Sequence, residues 1–191
     1  MIIRPVESKD IDTILELNEK SVKVLSPLNR PALLGLIEMS ILTVVVEEDH
    51  QVAGFLIGLT QGVAYESINY AWFNNQYKAF FYVDRIVVSD QFRGQGIASK
   101  LYEYVSKWAH EQALPHIFAE IDVLPPNTPS LLFHQKFGFK ELELLKHHEH
   151  KMVSLQGNAP DQPDNVVQPF VRQRMGLYAS RAYVERNGVP R

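Results

Sequence analysis

The sequence predicts an α+β fold, in which helices and β-strands form layers within one main domain. Three observations support this prediction. Two segments near the start repeat apolar residues at helical spacing, and β-branched or apolar runs at residues 42–46 and 52–60 follow them. Farther along, the apolar strand 82–88, a loop with two glycines and a third amphipathic segment occur in that order. A length of 191 residues fits one domain with a short appendage.

Composition and charge narrow the classes of function. No apolar run reaches the roughly 18 to 20 residues that span a bilayer, and the first residues lack the pattern of a signal peptide. We therefore expect a cytoplasmic protein that does not bind membranes. The sequence contains no cysteine, which excludes disulfides, thiolate metal ligands and a cysteine nucleophile. A net charge of −3 gives no electrostatic reason to bind nucleic acid.

The first third of the chain predicts two helices and three strands. Residues 2–6 favour a short strand, and Ser8 is expected to cap the helix that follows. A second helix is predicted at 32–39 from its apolar spacing. The runs 42–46 and 52–60 then pair as a hairpin through a short polar turn.

Residues 62–81, the aromatic segment, are dense in aromatic and amide side chains. They show no clean period, so we expect an elaborated loop. Two roles are open for it, and both can hold at once. It covers the core or contacts another subunit, or it recognises a substrate.

The second half of the chain is predicted to alternate strands and helices around the loop with two glycines. The elements are strand 82–88, loop 91–98, helix 98–112, strand 116–123, a short helix that begins at Thr128 and ends near Gly138, and one or two strands within 139–155.

The domain organisation is read from a composition break. Residues 157–169 are rich in proline, asparagine, aspartate and glutamine, which predicts a linker after a domain at 1–156. Residues 170–191 form a basic amphipathic tail. We expect the tail to dock on the same domain or on a partner subunit; contact with nucleic acid or a membrane surface is the alternative.

Residues 91–98, the glycine loop, join a strand to a helix. Successive backbone N–H groups and the positive end of the helix can converge there on an anion such as a phosphate. Gly94 and Gly96 keep side chains out of that space, and Arg93 adds charge at its rim. A dinucleotide fingerprint would need a glycine where Ser99 stands, and a nucleotide triphosphate loop would need a lysine after the second glycine. An ordinary strand-to-helix turn is the remaining alternative.

The glycine loop resembles the coenzyme A motif of the GNAT superfamily of N-acetyltransferases, because Gln91-x-x-Gly94-x-Gly96 follows an apolar strand and opens a helix. A second motif, Asn127-x-x-Ser130-x-x-Phe133-His134-x-Lys136-Phe137-Gly138-Phe139, is similar to the family's closing segment. The resemblance covers about residues 2–155. It implies a mixed, mostly antiparallel central sheet flanked by helices. It also implies an enzyme that moves an acetyl group from acetyl-coenzyme A to a primary amine by direct attack in a ternary complex.

The resemblance further implies where coenzyme A binds. The pantetheine arm would bond to strand backbone, the pyrophosphate would sit on the N–H groups of the glycine loop, and Asn127 would hold the arm near the thioester. A helix cap before Thr128 is the alternative role of Asn127. The coenzyme A residues implied are Ile86, Val87, Val88, Gln91, Arg93, Gly94, Gln95, Gly96, Ile97, Ala98, Asn127, Ser130 and Phe133.

Acyl transfer to an amine requires a base, because an ammonium group must lose a proton before it attacks. Glu120 and Asp122 lie two residues apart, hence on one face of the predicted strand. Family members often place a carboxylate five residues before the asparagine, which implies Asp122 as the base, with Glu120 and then Asp84 behind it. The alternative for each is a surface or salt-bridged acid.

The departing thiolate requires a proton donor, and many family members have tyrosine seven residues after the asparagine. Here that position is His134, which also donates a proton. If His134 only packs on its helix, Tyr82 or a tyrosine of the aromatic segment would serve instead.

Other functions remain open at this point. A non-catalytic acyl-coenzyme A sensor that acts through a protein partner would keep both motifs, whereas a nucleotide-binding oxidoreductase is disfavoured by Ser99. The acceptor is a small-molecule amine or a protein amine, and a homodimer is possible. We assign no metal, because on a strand only His148 and His150 of the three neighbouring histidines share a face.

Overall fold

The computed structural model describes residues 1–158, which form one mixed β-sheet with helices on both faces. The strands of this part are β1 Ile2–Pro5, β2 Leu42–Glu48, β3 Gln51–Thr60, β4 Phe81–Val88, β5 Ile117–Leu124, β6 Lys140–His148 and β7 Lys151–Asn158. Its α-helices are α1 Ile11–Lys20, α2 Arg30–Met39, α3 Ile68–Gln76, α4 Ile97–Glu111 and α5 Thr128–Lys136. The predicted fold class is confirmed.

The sheet has the strand order β1-β2-β3-β4-β5-β7-β6. Among the described strands, neighbours run antiparallel except for β4 and β5, which are parallel. Helix α4 connects these two parallel strands, as a parallel crossover requires. The strand before the glycine loop and the strand after α4 therefore lie side by side.

Two apolar cores sit on opposite faces of the sheet. Helices α1, α2 and α3 pack on one face through residues such as Ile14, Leu33 and Phe73. Helices α4 and α5 pack on the other, where Leu101 and Val105 are fully buried. Each such side chain contributes about 1.5 to 3 kcal/mol through its removal from water.

A β-bulge in β4 decides which side chains face the first core. Val83 pairs with Gly58 and Arg85 pairs with Ile57, so Asp84 is the extra residue. An extra residue reverses the alternation of a strand. Arg85 is thereby turned to the face of α1 and α2, where its Nη1 donates to Asn18 Oδ1 at 2.8 Å.

The aromatic segment is not an elaborated loop throughout, because it contains α3. Ser67 is the N-cap, and its Oγ accepts a hydrogen bond from the Tyr70 N–H. Asn69, Tyr70 and Phe73 are buried, whereas the remaining aromatic and amide side chains are distributed around the other sides of the helix. Apolar residues on several sides hide the helical period.

Two predicted boundaries also differ from the structure. Ser8 does not cap α1; it lies in a 3-10 turn that precedes the helix, and the Asp10 carboxylate accepts the Glu7 N–H at 2.8 Å. Strand β7 runs through Asn158, so residues 157 and 158 of the predicted linker belong to the sheet. The rest of the linker and the basic amphipathic tail, 170–191, lie outside the described residues. Within residues 1–158 there is no helix with the length and apolar character needed to cross a bilayer.

Candidate active site

Strands β4 and β5 diverge and leave a cavity between them. They pair only at Phe81 with Ile117 and at Tyr82 with Phe118, although both strands continue for six more residues. A cavity of about 760 Å³ opens beyond the last pair, within the size range of ligand sites. Backbone groups that a neighbouring strand would otherwise bond are free here to bond a ligand. We call this space the splay cavity.

The predicted strand residues lie in the wall of the splay cavity. Ile86, Val87 and Val88 of β4 all line it. Val87 is only 5% exposed because its side chain packs in the core of the α1–α3 face, so its backbone is the part a ligand meets. This arrangement suits an extended, amide-containing ligand.

The glycine loop has the backbone conformation that only glycine adopts easily. Gly94 and Gly96 both have φ of +78°, and Gly96 is the N-cap of α4. A Cβ built at either position would meet no atom of residues 1–158 within 4 Å. The glycines therefore serve the backbone conformation and leave an open space against the helix end.

The first turn of α4 supplies the donors that face this space. At the start of α4, Lys100 is the first residue whose backbone N–H forms a hydrogen bond within the chain. It donates to Gly96 O at 3.0 Å. Within residues 1–158 no backbone carbonyl accepts from the N–H groups of residues 97–99, so they are free for an anion. Arg93 lines the splay cavity and pairs with Asp90 at 2.7 Å, both on the surface. These features fit a pyrophosphate group.

The remaining predicted coenzyme A residues differ in how far they are buried. Ile97 is 1% exposed and packs in the core of the α4–α5 face, so its backbone alone can meet a ligand. Gln91 and Gln95 are exposed on the loop, and Ala98 is half-buried at the start of α4. Phe133 packs edge-on against Tyr102, with ring centroids 5.1 Å apart.

Asn127 and Ser130 both line the splay cavity. Asn127 is the N-cap of α5, and its Oδ1 accepts the Ser130 N–H at 3.3 Å. The capping role and a cavity position therefore occur together. A cap residue held in this way has a fixed side chain, which is an advantage for a group that must orient a ligand.

Glu120 projects from β5 into the splay cavity and is held by two donors. The Tyr82 hydroxyl and the Asn69 side-chain amide both donate to its carboxylate. Burial raises the pKa of Glu120 to about 7, although these two hydrogen bonds act in the opposite direction. A carboxylate with such a pKa exchanges a proton near neutral pH.

A second acid lies beside Glu120. Asp84 accepts a hydrogen bond from Tyr65 at 2.5 Å, and its Oδ2 lies 3.1 Å from Arg85 Nε. Burial raises the pKa of Asp84, while the Arg85 charge opposes that shift. Asp84 is therefore already engaged with its own cation.

Asp122 also has a cation of its own. Its Oδ2 lies 2.6 Å from Lys151 Nζ, and the Asp122 side chain is 7% exposed. Lys151 and Asp122 both line the splay cavity, on β7 and β5. The salt-bridged alternative that the sequence left open for each acid describes Asp122, whereas Glu120 has neutral hydrogen-bond partners.

His134 is 3% exposed and both of its ring nitrogens are engaged. Nδ1 lies 2.8 Å from the Ser130 carbonyl oxygen, which only accepts, so Nδ1 carries the proton. Nε2 lies 2.5 Å from the Tyr102 hydroxyl, which then donates to it. Burial lowers the pKa of His134 and raises that of Tyr102. At neutral pH the proton of this pair therefore lies on Tyr102.

The histidines of β6 give no metal centre in the structure. Among residues 1–158 there is no group of three or more possible ligands placed to hold an ion. His147 instead lies in the splay cavity, with Nε2 2.9 Å from Asn69 Oδ1. It therefore stabilises the orientation of the amide that donates to Glu120.

Sequence reasoning missed four residues of this site, namely Asn69, Tyr65, Tyr102 and Lys151. Asn69 and Tyr65 lie in the aromatic segment, where no period showed which side chains point inward. Tyr102 carries a signal, since it follows Leu101 and precedes Val105 by three on the apolar side of α4. Lys151 is brought to Asp122 by the pairing of β5 with β7, which the sequence does not specify.

Comparison with known proteins gives a family match and similar folds. The model of the acetyltransferase (GNAT) family matches residues 16–139. A search of curated proteins found no significant match. The structure is similar to Ard1 from Thermoplasma volcanium, with a TM-score of 0.68 at 17% identity over 83% of this chain and 96% of that one.

Two further solved structures have similar folds. The N-acetyltransferase from Staphylococcus aureus Mu50 gives a TM-score of 0.64 at 22% identity, over 83% of this chain and 98% of that one. The ribosomal-protein-S18-alanine N-acetyltransferase from Escherichia coli gives 0.65 at 13% identity, over 88% and 99%. At such identities the likeness shows the fold, which agrees with the mixed sheet described above.

Proposed function

Because the chain belongs to the acetyltransferase (GNAT) family, we propose that it moves an acetyl group from acetyl-coenzyme A to a primary amine by direct attack, with both substrates bound at once. One observation carries this proposal. Glu120, with a pKa of about 7, lines the same cavity as Ile86, Val88 and Asn127. A base and a binding channel for a thioester arm are thus within one space.

Acetyl-coenzyme A supplies an activated acyl group on sulfur, and this chain supplies its binding groups. In our proposal the N–H groups of residues 94–98 hold the pyrophosphate, and the backbone of residues 86–88 bonds the pantetheine arm. The open space beside Gly94 and Gly96 supports the first assignment. The unpaired stretch of β4 supports the second.

Glu120 is the base in this proposal, ahead of Asp122. It takes one proton from the acceptor ammonium before attack and passes it to solvent. The neutral nitrogen then forms the bond to the acetyl carbon, and it loses a second proton as the carbon–sulfur bond breaks. Asp122 is a weaker candidate because its charge is paired with Lys151 at 2.6 Å. Asp84 is likewise paired with Arg85.

The Tyr102–His134 pair is the proton donor in this proposal. Both residues line the splay cavity beside Ser130 and Asn127. Tyr102 holds the proton at neutral pH, and its hydroxyl donates to His134 Nε2 in this structure. In our proposal the hydroxyl turns from His134 to the sulfur as the thiolate leaves. The ammonium nitrogen thus loses two protons. One is released to solvent through Glu120, and the other is matched by the proton that sulfur gains, which balances the reaction.

The acceptor is an amine of a small molecule or of a protein. The E. coli structure named above is a ribosomal-protein alanine acetyltransferase, which makes a protein amine one candidate here. The expected cytoplasmic location and homodimer remain predictions.

Binding is tested first. Calorimetric titration of the full chain with acetyl-coenzyme A should show micromolar-range affinity, and the Gly94→Glu variant should lose it because a carboxylate would occupy the phosphate space. A folded Gly94→Glu variant that binds as tightly as the parent would remove the assignment of the glycine loop.

Turnover is tested second, by release of the coenzyme A thiol. The protein has no cysteine, so that thiol is the only one present. Glu120→Gln should lower kcat by about 10²- to 10⁴-fold, as loss of a general base does. Asp122→Asn is the matched comparison. If Asp122→Asn loses the activity and Glu120→Gln keeps it, the base is Asp122.

A further inference from the structure

A second cavity of about 380 Å³ adjoins the splay cavity on the face of α2. It lies between α2 and the segment that leads into α3. Its floor and sides are apolar, formed by Leu28, Ala32, Leu36, Met39 and Ala64. We call it the α2 groove.

The α2 groove and the splay cavity share three wall residues, Tyr65, Glu66 and Arg85. Arg85 is fixed in this wall, since its Nη1 and Nη2 donate to Ser26 O and Oγ at 2.7 and 2.8 Å. The Tyr65 hydroxyl is likewise directed to Asp84. The polar ends of Arg85 and Tyr65 are thus engaged, and Glu66 is exposed to solvent. The rest of the groove offers a ligand mainly hydrocarbon.

Gly35 keeps the α2 groove open. It lies inside α2, where glycine costs about 1 kcal/mol relative to alanine. A Cβ at Gly35 would meet no atom within 4 Å, so packing within the described chain does not require a glycine there. The missing side chain instead leaves space in a groove that Gly35 lines.

The position of the α2 groove relative to the sheet indicates which of the two substrates can occupy it. The glycine loop and α4 lie on one face, whereas α2 packs on the opposite face. A ligand anchored at the glycine loop reaches the α2 groove only through the splay cavity, which the thioester arm occupies in the proposed function. A ligand whose amine meets Glu120 from the α1–α3 face reaches the groove across Tyr65.

We propose that the α2 groove is an acceptor subsite, which holds an alkyl or aryl group carried by the primary amine. The proposal rests on the proposed function for the position of the amine at Glu120. It commits to an acceptor with an apolar body, and it excludes short polar amines as preferred substrates.

The test uses the full chain and straight-chain primary amines from methylamine to hexylamine. The wild-type kcat/KM should rise about fourfold for each methylene that enters the groove, the fold-change that burial of one methylene gives. Gly35→Leu fills the groove and should flatten this rise while it leaves methylamine unaffected. Gly35→Ala is the matched control, because a single methyl group enters open space and should preserve the rise.

The Gly35→Leu variant is expected to fold, because leucine favours a helix more than glycine and its Cβ meets no neighbour. Thermal unfolding checks this. A folded Gly35→Leu variant with the wild-type chain-length profile would overturn the proposal. So would a changed oligomeric state with that same profile, since a protein segment would then occupy the groove.

Binding separates this proposal from the proposed function. Calorimetry without acetyl-coenzyme A should show hexylamine binding tighter than methylamine to the wild type, and no difference with Gly35→Leu. If that pattern appears but no amine is acetylated, the subsite stands and the proposed function fails. Equal affinity of the wild type for both amines overturns the subsite.

Discussion

At the scale of single residues, the donors around Glu120 set the pH at which the proposed base is ready. The Asn69 amide stabilises the ionised carboxylate and so lowers its pKa against the effect of burial. Asn69 also accepts from His147, which fixes which end of the amide faces Glu120. A residue of α3 therefore acts on the chemistry through another side chain.

Asn69→Ala removes one donor from Glu120, so the pKa of the base should rise above its present value of about 7. The rising limb of kcat/KM against pH should move to higher pH, with most of the rate recovered on its plateau. Asn74→Ala is the control. Asn74 lies on the same helix, but its Oδ1 accepts from the Gly62 N–H and the Tyr70 hydroxyl. If the rising limb stays at the same pH in the Asn69→Ala variant, Asn69 does not act on the pKa of Glu120 and has only a packing role.

Tyr102→Phe removes the proposed proton donor but keeps the ring that packs on Phe133, Phe137 and Phe139. We expect kcat to fall at least tenfold, with the dissociation constant of acetyl-coenzyme A unchanged. Tyr104→Phe on the same helix is the control. If the Tyr102→Phe variant is less stable to heat but keeps the wild-type turnover, the Tyr102–His134 pair has a structural role and is not the proton donor.

Sequence reasoning predicted Glu120 and Asp122 on one face of one strand, and both lie on β5 and line the splay cavity. Which of them is the better candidate base depends on partners from other elements. Lys151 reaches Asp122 from β7, and Asn69 reaches Glu120 from a helix with no visible period. A strand pattern shows which face a carboxylate lies on. It does not show whether that carboxylate meets an ammonium group or an amide.

At the scale of elements, the glycine loop was predictable and α3 was not. The loop carries its signal in a few adjacent residues, because two left-handed positions require glycine in sequence. Helix α3 buries Tyr70 and Phe73 but has Trp72 and the exposed Ile68 elsewhere on its surface, so its apolar pattern contains no single stripe. Local backbone requirements are visible in a sequence, whereas a contact surface set by the rest of the fold is not.

Gly96→Ala separates the two roles of the glycine loop. A side chain at φ of +78° costs about 1 kcal/mol, so thermal stability should fall slightly, and the new methyl group should also weaken acetyl-coenzyme A binding. Gly62→Ala is a matched control, with φ of +82° and no atom within 4 Å of the added Cβ. It should lose similar stability and keep the affinity. Equal affinity in both variants would contradict the anion site.

At the scale of the whole molecule, Glu120 links stability to pH. Its pKa rises from 4.5 to about 7 on folding, so the folded state binds its proton more tightly. The stability this provides is complete below pH 4.5 and is lost as pH rises to about 7, by at most about 3 kcal/mol.

Glu120→Gln keeps the shape of the side chain and removes its titration. Relative to wild type, its melting temperature should therefore gain more at pH 8 than at pH 5. Glu103→Gln, an exposed position on α4, serves as the control. An equal gain at both values of pH would mean that the carboxylate titrates as it does in the unfolded chain.

All residues proposed for binding and catalysis lie within 1–158, the part that carries both cores. Removal of residues 159–191 should therefore leave the fold and the affinity for acetyl-coenzyme A intact. Circular dichroism and calorimetry check this, and light scattering reports whether the oligomeric state changes. Loss of folding would show that the tail contributes to the core.

The short contact between β4 and β5 divides the sheet into two halves that share two residue pairs. A ligand in the splay cavity would occupy the place of a missing partner strand. Part of the binding free energy would then stabilise the contact between the two halves. The amide hydrogens of residues 83–88 and 119–124 should therefore exchange more slowly once the ligand binds. Bound acetyl-coenzyme A would thus complete the sheet between β4 and β5 as an additional strand would.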